Sequence, residues 1–98
     1  MLNVKKLLTN MMDTYRAGAV TYSSIPVNGY ADKTVLFGRA MKSTPAVTAI
    51  RTASGTVGYN LQITVTSVST TGFTLRVWNY GTAAVGPTVS WTAVASTE

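Results

Sequence analysis

An all-β domain of six antiparallel strands, a sandwich or small barrel behind a short N-terminal α-helix, is the architecture this sequence predicts. Three observations carry it. Tyr59, Leu61, Ile63 and Val65 alternate without an error against Asn60, Gln62, Thr64 and Thr66, and Phe73, Leu75 and Val77 repeat the pattern against Thr74, Arg76 and Trp78. Period two is the mark of strands with one buried face. Turn residues punctuate the chain at short spacing after Gly18, as in sandwiches and barrels. The first seventeen residues, by contrast, contain no Gly or Pro.

The elements follow in order. Asn3 caps a helix expected from Val4 to Arg16, in which Val4, Leu8, Met11 and Tyr15 fall at spacings of four, three and four. That is an a/d seam, and a helix of about thirteen residues needs a partner to persist in water. The partner is either the helix's own domain or copies of itself. The chain therefore divides into 1–17, a stem for oligomerisation or attachment, and 18–98, the β domain. Strands are expected at Ala19 to Ser24, Thr34 to Phe37, Ala46 to Ile50, Tyr59 to Thr66, Phe73 to Trp78 and Thr88 to Ala95. Pro26, Asn28-Gly29, Lys42 to Pro45, Ser54-Gly55 with Gly58, Thr71-Gly72 and the small-residue stretch Gly81 to Pro87 separate them.

Composition argues against catalysis. The chain has no His and no Cys, and its acids are Asp13, Asp32 and Glu98. A relay of Ser, His and Asp cannot be assembled. Paired-carboxylate hydrolysis lacks its second acid near Asp32, and zinc, copper and calcium sites lack their ligands. No enzyme, metal or cofactor is expected. The net charge of +5 is spread over Lys5, Lys6, Arg16, Lys33, Arg39, Lys42, Arg51 and Arg76, whereas a nucleic-acid binder concentrates its basic residues. No apolar run approaches the 18 to 20 residues, roughly, that span a bilayer, and Thr9, Asn10 and Asp13 interrupt any signal-peptide core. Neither nucleic acid nor membrane is an expected partner. At 98 residues with 46% apolar content and no disulfide, a domain this small points to apolar surface buried between subunits; a compact monomer with a well-filled core accommodates the same numbers.

Five elements in order resemble the H-type lectin domain: Phe37, Pro45-Ala46-Val47, Asn60-Leu61, Thr70 to Phe73, and Trp91 in V-S-W-T-A-V. The resemblance covers about Thr34 to Ala95. It implies a six-stranded antiparallel β-sandwich assembled as a homotrimer, and it extends to receptor-binding tips of bacteriophage fibres that carry a short helical stem. It implies a virion component of a phage or prophage that recognises a glycan or cell-surface polysaccharide, and other virion proteins as partners of the stem. The family's sugar-contacting Arg after Asn-Leu is Gln62 here, its stacking aromatic seven places after the turn Phe corresponds to Tyr80, and a polar ring beyond that is replaced by Gly81. The family's acid from an upstream loop corresponds to Asp32, and the loop residue Asn79 beside Tyr80 joins these as a candidate ligand contact. N-acetylgalactosamine specificity is not carried over.

Each assignment has a plainer counterpart. Tyr80 in Asn79-Tyr80-Gly81 is also what a hairpin tip looks like. Trp78 faces away from Phe73, Leu75 and Val77, so it is exposed or covered by a partner subunit; with Arg76, and with Val4, Leu8, Met11 and Tyr15 of the stem, it is assigned to a subunit interface. Trp91 shares its face with Val89 and Ala93 and belongs to the core. Two functions follow: a glycan-recognition module, or a structural virion or appendage trimer of the same fold without sugar binding. The replacements at Gln62 and Gly81 favour the second, and Tyr80 with its polar loops favours the first.

Overall fold

The structure, a computed structural model, describes Val4 and residues 13–51 and 60–96. Within them run six strands: β1 Tyr15–Thr21, β2 Tyr30–Leu36, β3 Ala46–Arg51, β4 Leu61–Thr66, β5 Gly72–Asn79 and β6 Thr88–Val94. They form two separate antiparallel sheets of three, β1-β6-β3 and β2-β5-β4, so the sandwich and not the barrel is the architecture. Only β4 and β5 are consecutive in the chain and neighbours in a sheet; every other connection crosses from one sheet to the other.

The two central strands build the core. β5 turns Phe73, Leu75, Val77 and Asn79 inward, and β6 turns Val89, Trp91 and Ala93 inward, all of them buried. Phe73 meets Trp91 edge to face at 5.1 Å, and Phe37 closes the cluster at 5.8 Å from each, a geometry that suits the ring quadrupoles. Tyr22, Ile25, Met41 and Ala95 plug the ends from outside the strands. The Tyr22 hydroxyl donates to the Leu75 carbonyl at 2.9 Å. Burial pushes its pKa up to about 12, because the phenolate is the form that suffers from leaving water.

Two glycines are required by close approach. Gly18 pairs with Trp91 across β1 and β6, and a Cβ there would lie 2.8 Å from the indole. Gly72 opens β5 directly against β2, where a Cβ would collide with the Val35 carbonyl. Asn28, at φ 62°, takes the left-handed position of a turn closed by the Gly29 amide on the Pro26 carbonyl, a conformation that Asn tolerates better than most residues.

Strand boundaries depart from expectation at the start of the domain. β1 begins at Tyr15 and ends at Thr21, earlier than the strand expected at Ala19 to Ser24, and it straddles the division placed at Gly18. Seven registered pairs from Tyr15↔Val94 to Thr21↔Thr88 hold it against β6, and such pairing outweighs the local helix propensity of Arg16. Tyr15 and Arg16 are therefore strand and not helix; the rest of the expected helix, with Leu8 and Met11, lies outside the described residues apart from Val4, which is exposed, and Asp13-Thr14. β2 begins at Tyr30, four residues before the apolar run that predicts it.

The strand edges carry charge on their inward side. Arg16 on β1 is registered with Ala93, Lys33 on β2 with Leu75, and Arg51 on β3 with Val89, all partners being buried. Their stems run past the core rim and their cationic heads reach solvent. Arg16 extends over the Phe37 ring at 6.0 Å and donates to the Arg39 carbonyl. Inward-pointing cations at an edge block the addition of a further strand.

Candidate functional site

The outward positions of β2-β5-β4 bring most of the predicted ligand residues onto one face. Register sets them in three rows across the sheet: Tyr30, Trp78 and Gln62; Asp32, Arg76 and Thr64; Thr34, Thr74 and Thr66. The rows exist because β5 is central and hydrogen-bonded on both sides, so its outward residues Thr74, Arg76 and Trp78 each gain two cross-strand neighbours. Tyr80 follows one residue beyond β5, its amide donating to the Asn60 carbonyl at 2.8 Å.

Aromatic rings dominate the first row. Trp78 and Tyr80 lie parallel, with 4° between their planes and 6.0 Å between centroids, and Tyr30 tilts against the other side of Trp78 at 4.6 Å. Tyr30 and Tyr80 are each 48% exposed. The chain's own tyrosines thus flank Trp78, which is half-buried.

Charge dominates the second row. Arg76 grips Asp32 through two hydrogen bonds, Nε to Oδ1 at 2.8 Å and Nη2 to Oδ2 at 3.0 Å, the fork geometry peculiar to arginine. Its guanidinium also lies 4.1 Å from the centroid of the Tyr30 ring and 5.9 Å from that of Trp78, within cation–π range. The Arg76 hydrogen bond holds the Asp32 carboxyl below the usual carboxylate range, and Asp32 in turn raises Arg76. Both charges are therefore present at any physiological pH and largely neutralise one another.

Asn79, expected to touch ligand, is fully buried. Its Nδ2 donates to the carbonyls of Ile25 at 3.0 Å and Ala83 at 2.9 Å, and its Oδ1 accepts from the Gly81 amide at 2.9 Å. Its backbone exchanges bonds with Asn28 and Gly29. All its polar atoms are spent on the fold, so it supports Tyr80 from behind and contacts nothing outside. Tyr15, expected on a helical seam, lies 52% exposed on the outer face of the opposite sheet. Tyr30 is the member that sequence reasoning missed. The signal was present: Tyr30, Asp32 and Thr34 alternate with Ala31 and Val35, and Lys33 on the inward side disguises the period.

The face can offer the half-exposed Tyr80 ring, backed by Trp78, to an apolar ring while Asp32, Arg76 and Gln62 offer acceptors and donors around it. Among the described residues no cluster of three acids, His or Cys exists that would hold a metal ion.

No protein-family model matches the chain, and no curated protein matches it. Solved structures do. The chain superposes on an N-truncated R1-type pyocin tail fibre with a TM-score of 0.68 and 21% identity, covering 84% of this chain and 70% of that one. The fold is shared with that tail fibre. The tailspike of Pseudomonas phage phi297 gives a TM-score of 0.64 at 13% identity over 86% of this chain, which spans only 16% of the tailspike. At such identities the likeness is one of fold, shared with particles that carry it in fibre and spike alike.

Proposed function

We propose that this chain is the surface-recognition module of a trimeric fibre-like virion protein from a phage or prophage, and that it binds a cell-surface glycan on the outward face of β2-β5-β4. The observation that carries the reading is the parallel pair Trp78 and Tyr80, set 6.0 Å apart beside the forked Asp32–Arg76 pair. Aromatic faces receive the C–H face of a pyranose, and a fixed carboxylate and guanidinium at its rim receive hydroxyls. The fold's occurrence in a pyocin tail fibre and a phage tailspike supports the fibre setting, and the resemblance to H-type lectins supports a sugar as ligand. The stem before β1 attaches the module to other virion proteins.

Recognition, not hydrolysis, is the chemistry the face suits. It presents one carboxylate, Asp32, already committed to Arg76, whereas glycoside hydrolysis uses two carboxyl groups flanking the bond. An open face of this kind binds one sugar weakly, and display of several copies supplies useful affinity.

A glycan array probed with the protein displayed multivalently tests the reading. Binding to a defined sugar class is expected, with at least a tenfold loss for both Tyr80→Ala and Trp78→Ala and unchanged oligomeric state. The second reading, a structural virion trimer without sugar binding, draws on the mutual satisfaction of Asp32 and Arg76 and on Gln62 in place of a charged residue. Silence of the array at high avidity selects it.

A further inference from the structure

We infer that the glycan face carries a second subsite at the end of β2-β5-β4 opposite Tyr80, and that its ligand is a stretch of several units of an uncharged polysaccharide and not a lone terminal sugar. The inference rests on the glycan reading above and names the class of ligand that the face takes. Register extends the face beyond its aromatic and charged rows: Thr34, Thr74 and Thr66 form a third row, and Leu36 with Gly72 a fourth. Leu36 occupies an outward position and is 75% exposed. It also walls a depression of about 190 Å³, together with Gly38, Arg39, Ala40 and Thr71.

Hydroxyls distinguish this face from its counterpart. On β1-β6-β3 the cross-strand threonines bond each other, Thr48 with Thr92 at 2.6 Å and Thr21 with Thr88 at 3.1 Å. Thr34, Thr74 and Thr66 also stand abreast, yet none of their hydroxyls has a hydrogen-bond partner among the described residues. Each keeps a donor and an acceptor for a ligand. Successive rows lie two residues apart, so the aromatic row and the Leu36 row are separated along β5 by about 20 Å. A pyranose is a six-membered ring, as is the phenol of Tyr80. One unit seated on Tyr80 reaches the first two rows but neither the threonine row nor the depression. Further units of the same chain reach both.

Charge selects among polysaccharides. The chain carries +5, but the two cations on this track each hold an acid of their own: Arg76 binds Asp32 at 2.8 Å and Arg39 binds Asp13 at 2.9 Å. Arg16, Lys33 and Arg51 stand at inward positions of edge strands, off the track. An anionic polymer would have to compete with Asp32 and Asp13 for their arginines, whereas a neutral one leaves both forks intact. In the depression, Leu36, Gly38 and Ala40 present apolar walls, which suit a methyl or acetyl substituent on the far unit.

An array of bacterial glycans graded in length from single sugars to hexasaccharides, probed with the full chain displayed multivalently, gives the test. Neutral fragments are expected to bind, hexasaccharides at least tenfold more tightly than single sugars. Thr66→Val and Leu36→Asp are expected to bring that ratio down to about one with an unchanged circular-dichroism spectrum, whereas Tyr80→Ala weakens binding at every length. Should Leu36→Asp fail to fold, Ala40→Trp, which fills the depression from an exposed loop position, is expected to lower the ratio in the same way. Equal affinity at all lengths, binding confined to acidic glycans, or a length dependence that every one of these subsite variants retains overturns the inference and leaves the glycan reading standing. Silence at every length overturns the glycan reading itself, and the second subsite falls with it.

Discussion

Truncation of Asn79 to Ala is the substitution with the most to say about how the end of β5 and the Tyr80 loop are held. The side chain is fully buried and makes three hydrogen bonds, to the Ile25 and Ala83 carbonyls and from the Gly81 amide. The Ile25 carbonyl keeps a second donor, the Val85 amide at 3.2 Å, so the heaviest losses fall on Ala83 and Gly81. At about 1 kcal/mol net for each bond, with a further increment for groups left unmet, the loss comes to about 3–4 kcal/mol. For a domain of this size that is roughly a 12–32 °C fall in Tm. The assay is thermal and denaturant unfolding of both proteins at one fixed chain concentration, because assembly shifts apparent stability by mass action. Asn79→Asp sharpens it: a carboxylate accepts but cannot donate to two carbonyls, so it is expected to be at least as destabilising at pH 7. A loss under about 1 kcal/mol for Asn79→Ala would refute the reasoning, since the loops around Ile25 and Gly81 would then hold without the amide that joins them.

Gly72→Ala places a methyl against the Val35 carbonyl at the start of the β2–β5 pairing, and a loss of about 1–3 kcal/mol is expected from denaturant unfolding; an unchanged midpoint would show that β2 shifts without cost. Tyr22→Phe removes the bond to the Leu75 carbonyl and is expected to cost about 1 kcal/mol at pH 7. The same substitution changes the alkaline limb. The Tyr22 pKa stands at about 12 in the folded protein against 10.0 ordinarily, so the folded state keeps a proton that the unfolded state has released. Its contribution is whole below pH 10 or so and is lost as pH rises towards 12. The difference in stability between the native protein and Tyr22→Phe should therefore narrow across that window, and a constant difference would count against the burial of the phenol.

Legibility in the sequence tracked position in the sheet. β5 and β6 are central, with one face in the core and one outward, and their strict alternation over Phe73 to Val77 and Val89 to Ala93 placed both strands and the side of Trp91. β2 was half legible because it is an edge: Lys33 occupies an inward position whose head still reaches solvent, which breaks the period and hid Tyr30. β1 was displaced because Tyr15 and Arg16 suit a short helix locally, and only the ladder with β6 makes them strand. Asn79 was misread because a polar residue at a strand end signals a solvated loop. Nothing local reveals that three loop groups converge on it.

The sequence by itself determined the all-β class, the alternation that sorts inward from outward residues, and a composition without His or Cys and with three acids. Those are properties of single residues and of spacings of two, which the backbone pleat translates directly into faces. Tertiary structure alone decided which faces meet. Asp32 finds Arg76 across a separation of 44 residues, Tyr30 comes to lie beside Trp78, and the uncharged residues of β1, β6 and β3 gather on one side because all but one connection crosses between sheets. Such pairings are set by the long-range register of the ladders, where each strand takes the neighbour that lets both bury their apolar side, and that choice is made by the whole core at once.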